Sequence, residues 1–254
     1  MPASLNHQRN PLGRTLRLLA WMADHDAANF GVRELAAAVR MAPSTVHRSL
    51  GALQEEGLVE SDQASGRYRL SLGFFRLALR GASRVPILDL AMPHLREVAR
   101  AGGETALLAL YDPAQVAATF VAEVPARQAV QVRSALHEWF ALPGSAAGQA
   151  ILAWLDPETL VSAVGAARPA PDPSRLAETL AAVRGRGYSS VVGRPGTGAV
   201  ALGAPFWGPG RAPLGALVVA IPDSRINPVL EATLGRLLLE RAAELTAALG
   251  GSAA

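Results

Sequence analysis

The chain has 254 residues, half of them hydrophobic and 18% charged, with a formal net charge of +3. That length suits two modest domains or one large one, and the composition excludes a disordered chain. No apolar run reaches the roughly 18–20 residues needed to span a bilayer. The start, MPASLNHQRN, lacks the basic-then-apolar layout of a signal peptide, so a cytoplasmic protein with no membrane partner is expected. Cysteine is absent, which excludes disulfides, thiolate metal sites and a cysteine nucleophile. All 24 basic residues are arginine. Arginine forks suit phosphates and guanine edges, but codon bias produces the same count, so the positions of the arginines matter more than their number.

Residues 1–10 are polar and expected to fray. Leu12, Leu16, Leu19, Ala20 and Ala23 recur at helical spacing, and HDAANFG (25–31) breaks the pattern. Residues 32–39 read as a short helix. Pro43 opens a third helix that runs to about Glu56, and Gly57 occupies the stop position. LVES (58–61) and RYRL (67–70), on either side of DQASG, predict a hairpin. A helical pattern resumes over 73–84. Beyond Pro86 the spacing predicts a helix over 86–103, a strand pair from TALLALY and QVAATFVAEV, and a strand over 130–134. A loop, HEWFALPGSAAG (137–148), then enters a helix at about 146–155. Helices in PETLVSAVG and SRLAETLAAVRGRG, strands in SSVVG, GAVALGAPFW and LGALVVAI, and a long helix from about Pro228 to Leu249 complete the chain. The expected class is α+β (α/β). Residues 1–72 form a winged helix-turn-helix, 73–85 a linker helix, and 86–254 a second, larger domain.

The most specific local signal is helix, helix, tight turn, helix and hairpin within about 70 residues, the layout of a DNA-binding helix-turn-helix. In such a unit the second helix of the pair lies in the major groove and reads bases with its N-terminal residues. Here those are Pro43, Ser44, Thr45, His47 and Arg48. Leu35, Ala36, Val39, Val46, Leu50 and Leu53 supply the small core. The hydroxyls suit phosphates or base edges, and Arg48 can fork onto a guanine. Arg67 and Arg69 share one face of the hairpin's second strand, where a wing touches phosphate or minor groove.

Two other readings compete with this one. An enzyme is disfavoured, because His7, His25, His47, His94 and His137 are scattered and show no metal spacing. GSAAG (144–148) is not a nucleophile elbow, and GTG (196–198) leads into a strand rather than a helix. Glu104 reads as a cap or surface charge without a partner. No catalytic residue, metal or cofactor is expected. The alternative is a winged-helix protein-interaction module with a ligand-sensing domain and no DNA role. The polar set Ser44, Thr45, His47 and Arg48 argues against it, since a protein-binding face favours exposed apolar groups.

NPLGRTLRLLAWMA, VRELAAAVRMAPSTVHRSLGALQEEGLVE and GRYRLSLG resemble the winged helix-turn-helix of IclR-type regulators. The resemblance continues through LDLAMPHLREVARAGGETALLALYD, LPGSAAGQAILAWL, RGRGYSS, ALGAPF and LVVAIPDSR, and so runs from about residue 11 to 248. It implies a repressor whose binding to a near-palindromic double-stranded operator is modulated by a small-molecule effector. It further implies a GAF-like effector domain and a homodimer or homotetramer. Arg14 would contact phosphate. Two departures stand out. Arg40 replaces the usual turn glycine, a cost of about 1 kcal/mol if its φ is positive, which a phosphate contact would recover. Pro43 replaces a basic residue and so removes one phosphate donor.

By the same resemblance the effector lies beside Ser145, Ala146 and Ala147, where backbone N–H groups at a helix start suit an anion. Four positions that are polar in members binding small oxoacids are Val191, Ala201, Val218 and Ala220 here. An apolar pocket strips a small acid of its water without replacement, so a larger or more apolar effector is expected, such as an aromatic acid. Trp139 and Phe140 either stack on that ligand or cap the domain core or an oligomer interface.

Overall fold

The computed structural model describes residues 10–25, 27–62, 64–82, 86–128, 131–132, 134–193 and 198–252. The chain divides into two compact units, Met1–Pro86 and Ile87–Ala254.

In the first unit α1 (Pro11–Ala23), α2 (Val32–Ala38) and α3 (Pro43–Glu55) precede a hairpin of β1 (Val59–Ser61) and β2 (Tyr68–Leu70), followed by α4 (Leu72–Ala82). Both Pro11 and Pro43 sit at helix starts, where the missing N–H goes unused. Leu18 and Met22 of α1, Leu35 and Ala36 of α2, and Val46, Leu50 and Leu53 of α3 converge with Phe30 and Val59 in one core. Phe30 also bridges Tyr68, which ties the loop before α2 to the hairpin. The helix expected over 73–85 is α4; residues 83–85 lie outside the described part of the chain, as do residues 1–9.

Helices α2 and α3 end in the same way. Arg40 donates its N–H to Ala37 and Met41 donates to Ala36, while Gly57 donates to Gln54 and Leu58 to Leu53. Each is a Schellman turn, which requires a left-handed residue just past the helix. Gly57 meets that need at φ 69°, and Arg40 meets it at φ 52°. Arg40 therefore has the positive φ that its replacement of a glycine made costly.

The second unit is a six-stranded antiparallel sheet in the order β5-β4-β3-β8-β7-β6. Its strands are β3 (Thr105–Asp112), β4 (Ala117–Val124), β5 (Trp139–Ala141), β6 (Ser189–Val192), β7 (Ala199–Trp207) and β8 (Pro213–Pro222). Its helices are α5 (Ile87–Gly102), α6 (Ala146–Leu152), α7 (Pro157–Ala166), α8 (Pro173–Arg186) and α9 (Pro228–Ala248). Leu95, Val98, Leu234, Leu238 and Leu245 of α5 and α9 pack on one face, against Leu108, Leu202, Phe206, Leu217 and Val219. Ala147, Ile151, Leu176, Leu180 and Val183 of α6 and α8 pack on the other, against Leu107, Ala109, Ala216 and Val218. Being covered on both faces, β8 is buried throughout except at Leu214, and so reads as a continuous apolar run. The expected α+β class is what the structure has.

Two elements and one residue differ from the sequence-based expectation. Residues 131, 132 and 134 are not in a strand, and 130 and 133 lie outside the described residues. Trp139 and Phe140, expected in a loop, form the edge strand β5, which pairs with Ala117–Thr119 of β4. Local periodicity does not reveal a three-residue strand whose only support is a distant neighbour. Glu104 is not a surface charge but is buried at 2% exposure, with both carboxylate oxygens accepting from Arg225 at 2.6 Å.

Replacing Arg40 by glycine is expected to stabilise the first unit by about 1 kcal/mol, and Gly57→Ala to destabilise it by a similar amount. Urea unfolding of the full chain, followed by a probe in the first unit, measures both shifts.

Candidate functional site

Each unit carries one candidate site. In the first, α3 presents Pro43, Ser44, His47 and Arg48 to solvent, with Thr45 half-buried, while Val46, Ser49 and Leu50 face inward. The inward face is held by Leu50 in the core and by the Ser49 hydroxyl, 3.0 Å from that of Thr15 on α1. Arg40 and Arg48 are exposed, and no hydrogen bond or ion pair holds either side chain among the described residues. Arg14 is half-buried on the first turn of α1.

The wing arginines are held differently. Arg67 donates Nε to Asn29 Oδ1 at 2.5 Å and Nη2 to the Asn29 carbonyl at 3.1 Å and to Glu34 Oε2 at 2.9 Å. Glu34 also accepts from the Gly31 N–H, closing the first turn of α2, so Arg67 joins the wing to that helix. Arg69 lies opposite Glu60 in the hairpin register and donates to it at 2.6 Å. At the wing tip Asp62 accepts from the Ser65 hydroxyl and the Ala64 N–H, and these bonds hold its carboxyl below the usual carboxylate range.

In the second unit a cavity of about 180 Å³ is lined by Ser145, Ala146, Ala147, Val191, Ala201, Val218 and Ala220 together with Leu107, Phe120, Val132, Ser134, Gly144, Gly193 and Ala199. Strand register explains the convergence. Val191 lies opposite Ala201, Ala201 opposite Ala220 and Ala220 opposite Thr105, a single row across four strands. Val218 is two residues along β8 and therefore on the same face. Trp139 and Phe140 do not line this cavity. They line an adjoining groove of about 1030 Å³, with Glu138, Arg168 and the prolines at 169 and 171.

Helix α6 supplies one wall of the cavity. Gly203 permits its approach, since a Cβ there would lie 2.9 Å from the Ala146 carbonyl oxygen. The buried Ser189 hydroxyl donates to that same oxygen at 2.6 Å. Ser145 caps α6 by accepting from the Gly148 N–H at 3.0 Å, a bond that uses an oxygen lone pair and not the O–H. On another wall Thr105 accepts from Ala126 N–H and donates to the Val132 carbonyl, pinning that residue beside β3. Among the described lining residues, side-chain polarity comes from Ser134 and Ser145. Phe120, Val132 and Ser134 went unpredicted because their strand and loop partners are distant in the chain. Alternation around Ala109 points to Leu107 in hindsight. Among the described residues no cluster of His, Asp or Glu could hold a metal, and no helix is long and apolar enough to cross a membrane.

A family profile described as the bacterial transcriptional regulator IclR C-terminal domain matches residues 80–247, and one described as the IclR helix-turn-helix domain matches 11–63. The acetate operon repressor of Salmonella typhimurium is 27% identical over 257 aligned residues, covering 98% of this chain and 93% of its own. A solved IclR-type regulator from Silicibacter sp. is 29% identical, with a TM-score of 0.85 over 96% of this chain and 98% of that one. An IclR homologue from Microbacterium hydrocarbonoxydans, solved with 4-hydroxybenzoate, is 21% identical with a TM-score of 0.76, over 96% of this chain and all of that one.

Overpacking from Gly203→Ala is expected to cost about 1–3 kcal/mol, and Ser189→Ala about 1 kcal/mol. The added Cβ would also lie 3.0 Å from Ser189 Oγ. The double variant should therefore lose less than the two single losses combined, a coupling that a double-mutant cycle in urea reads directly.

Proposed function

The chain belongs to the IclR family of bacterial transcriptional regulators, DNA-binding proteins rather than enzymes, and from that premise we propose that it is a repressor released from its operator by a larger, more apolar organic acid, with aromatic acids as the favoured class. The observation that carries the effector class is the apolar row Val191, Ala201 and Ala220, with Val218 beside it, inside a cavity of about 180 Å³. A small oxoacid entering that cavity loses its water and gains few partners. A ring fits better, since a dry cavity of about 150 Å³ holds benzene. Its carboxylate would meet Ser134, Ser145 and the N–H groups of Ala146 and Ala147, with Trp139 and Phe140 at the entrance. The neighbour solved with 4-hydroxybenzoate shares only the fold at 21% identity, so the reading rests on the cavity.

In the first unit we assign Ser44, Thr45, His47 and Arg48 to the major groove, with Pro43 at the helix start and Arg14 and Arg40 to phosphate. Arg67 and Arg69 would meet DNA by exchanging Glu34 and Glu60 for phosphate. Breaking either exposed ion pair costs about 0–1 kcal/mol, and Arg67 would keep its two bonds to Asn29. Two subunits would present paired α3 helices to a near-palindrome. The exposed Leu12 and Leu16 of α1 and Phe75, Leu77 and Leu79 of α4 offer apolar surface for a homodimer or homotetramer. Effector binding then shifts the oligomer between arrangements by as much as its affinity for them differs.

Fluorescence anisotropy on the DNA upstream of the gene should show a preference of roughly 10³-fold or more over scrambled DNA. The affinity should fall steeply with salt. Arg48→Ala should lose about 1–3 kcal/mol of specific binding, with effector affinity unchanged. Full operator affinity in that variant would overturn the placement of α3. In calorimetry an aromatic acid should bind and glyoxylate or pyruvate should not; the reverse result would overturn the effector class.

A further inference from the structure

The inner cavity and the outer groove meet at a neck formed by residues common to both linings: Phe120, Ser134, Gly144 and Ser145. Three of these carry a small side chain or none. Among the described residues Phe120 is the one bulky group there, and its ring packs 4.8 Å from that of Phe140 in the groove.

A break in strand register puts the ring at the neck. Leu108 lies opposite Ala122, but Ala109 lies opposite Phe120, so Val121 is an extra residue on β4. A bulge of this kind re-aims the side chains beside it. Phe120 thereby packs on the face that holds Ala109, while Val121 and Ala122 pack with the opposite core. The Phe120 backbone also supports the segment leading into β5. Its carbonyl accepts from His137 N–H at 2.8 Å, it bridges Leu136, and His137 takes a φ of 65°.

We infer that Phe120 sets the size limit of the ligand, confining it to a single ring in the inner cavity and excluding fused two-ring ligands. This rests on the placement of the effector in that cavity. The inner volume of about 180 Å³ lies below the roughly 300–1,000 Å³ of most small-molecule sites, while the groove beyond the neck adds about 1030 Å³. Among the described residues, the space that would take a second ring lies past the neck that Phe120 lines.

The test uses neutral probes, so that it does not depend on which acid is the effector. Toluene and naphthalene are titrated into the full-length protein and its Phe120→Ala and Phe120→Leu variants. Naphthalene fluorescence reports binding, and displacement by toluene locates it in the inner cavity. Toluene should bind the unaltered protein. Naphthalene should bind Phe120→Ala most tightly, then Phe120→Leu, with the unaltered protein at least roughly tenfold weaker. Toluene should displace it from both variants. Phe120→Leu keeps much of the buried volume and carries the comparison if Phe120→Ala does not fold. Equal naphthalene affinity in all folded proteins, naphthalene that toluene does not displace, or no ring binding at all would overturn the inference. The expected series together with no release of operator DNA by any aromatic acid would uphold the size limit and overturn only the effector class.

Discussion

Alternation along the central strands governs the whole second unit. Helices cover both faces of the sheet, so β3, β7 and β8 have no solvent side to which a side chain can be sent. Val200, Leu202, Ala204 and Phe206 go to the core beneath α5 and α9, and Ala201 between them goes to the cavity. Leu217, Val219 and Ile221 alternate in the same way with Val218 and Ala220. A one-residue slip would exchange cavity wall and core along an entire strand. The chemical character of the cavity is thus set by every second residue of strands whose other residues hold the fold together.

The helix beside the cavity depends on close contact rather than on length. Helix α6 has seven residues, too few to be stable alone. It is held by the gap at Gly203, by the Ser189 hydroxyl and by the Ser145 cap. The pair of buried Glu104 with Arg225 and the Thr105 hydroxyl act at the start of β3, beside the same cavity. Removing Arg225 would leave the buried Glu104 carboxylate without its compensating charge, which is strongly destabilising.

In the first unit, two turns of the same shape carry different residues. Gly57 closes α3 with no steric cost, whereas Arg40 accepts a left-handed φ where glycine would do the same at lower energy. What the arginine adds, at the turn leading into α3, is a guanidinium with no hydrogen bond or ion pair among the described residues. Backbone strain of this order is commonly retained where a side chain has work beyond the fold. Arg67 shows the opposite allocation, since most of its donors serve Asn29 and Glu34 and so join the wing to α2.

Much of this protein was legible in its amino-acid order. Helical spacing, Pro43 at a helix start, Gly57 at a helix end and the turn between two short strands define the first unit, because each is a local signal spanning a few residues. The long apolar runs of β3, β7 and β8 are local too, and so is the apolar nature of positions 191, 201, 218 and 220. Tertiary structure alone decided the rest. It paired Glu104 with a residue 121 positions away, committed Arg67 to Asn29 and Glu34, made Trp139–Ala141 an edge strand and placed Phe120 at the neck of the cavity. Each of these depends on a partner far along the chain or on a bulge in strand register, and no periodicity within a single segment encodes either.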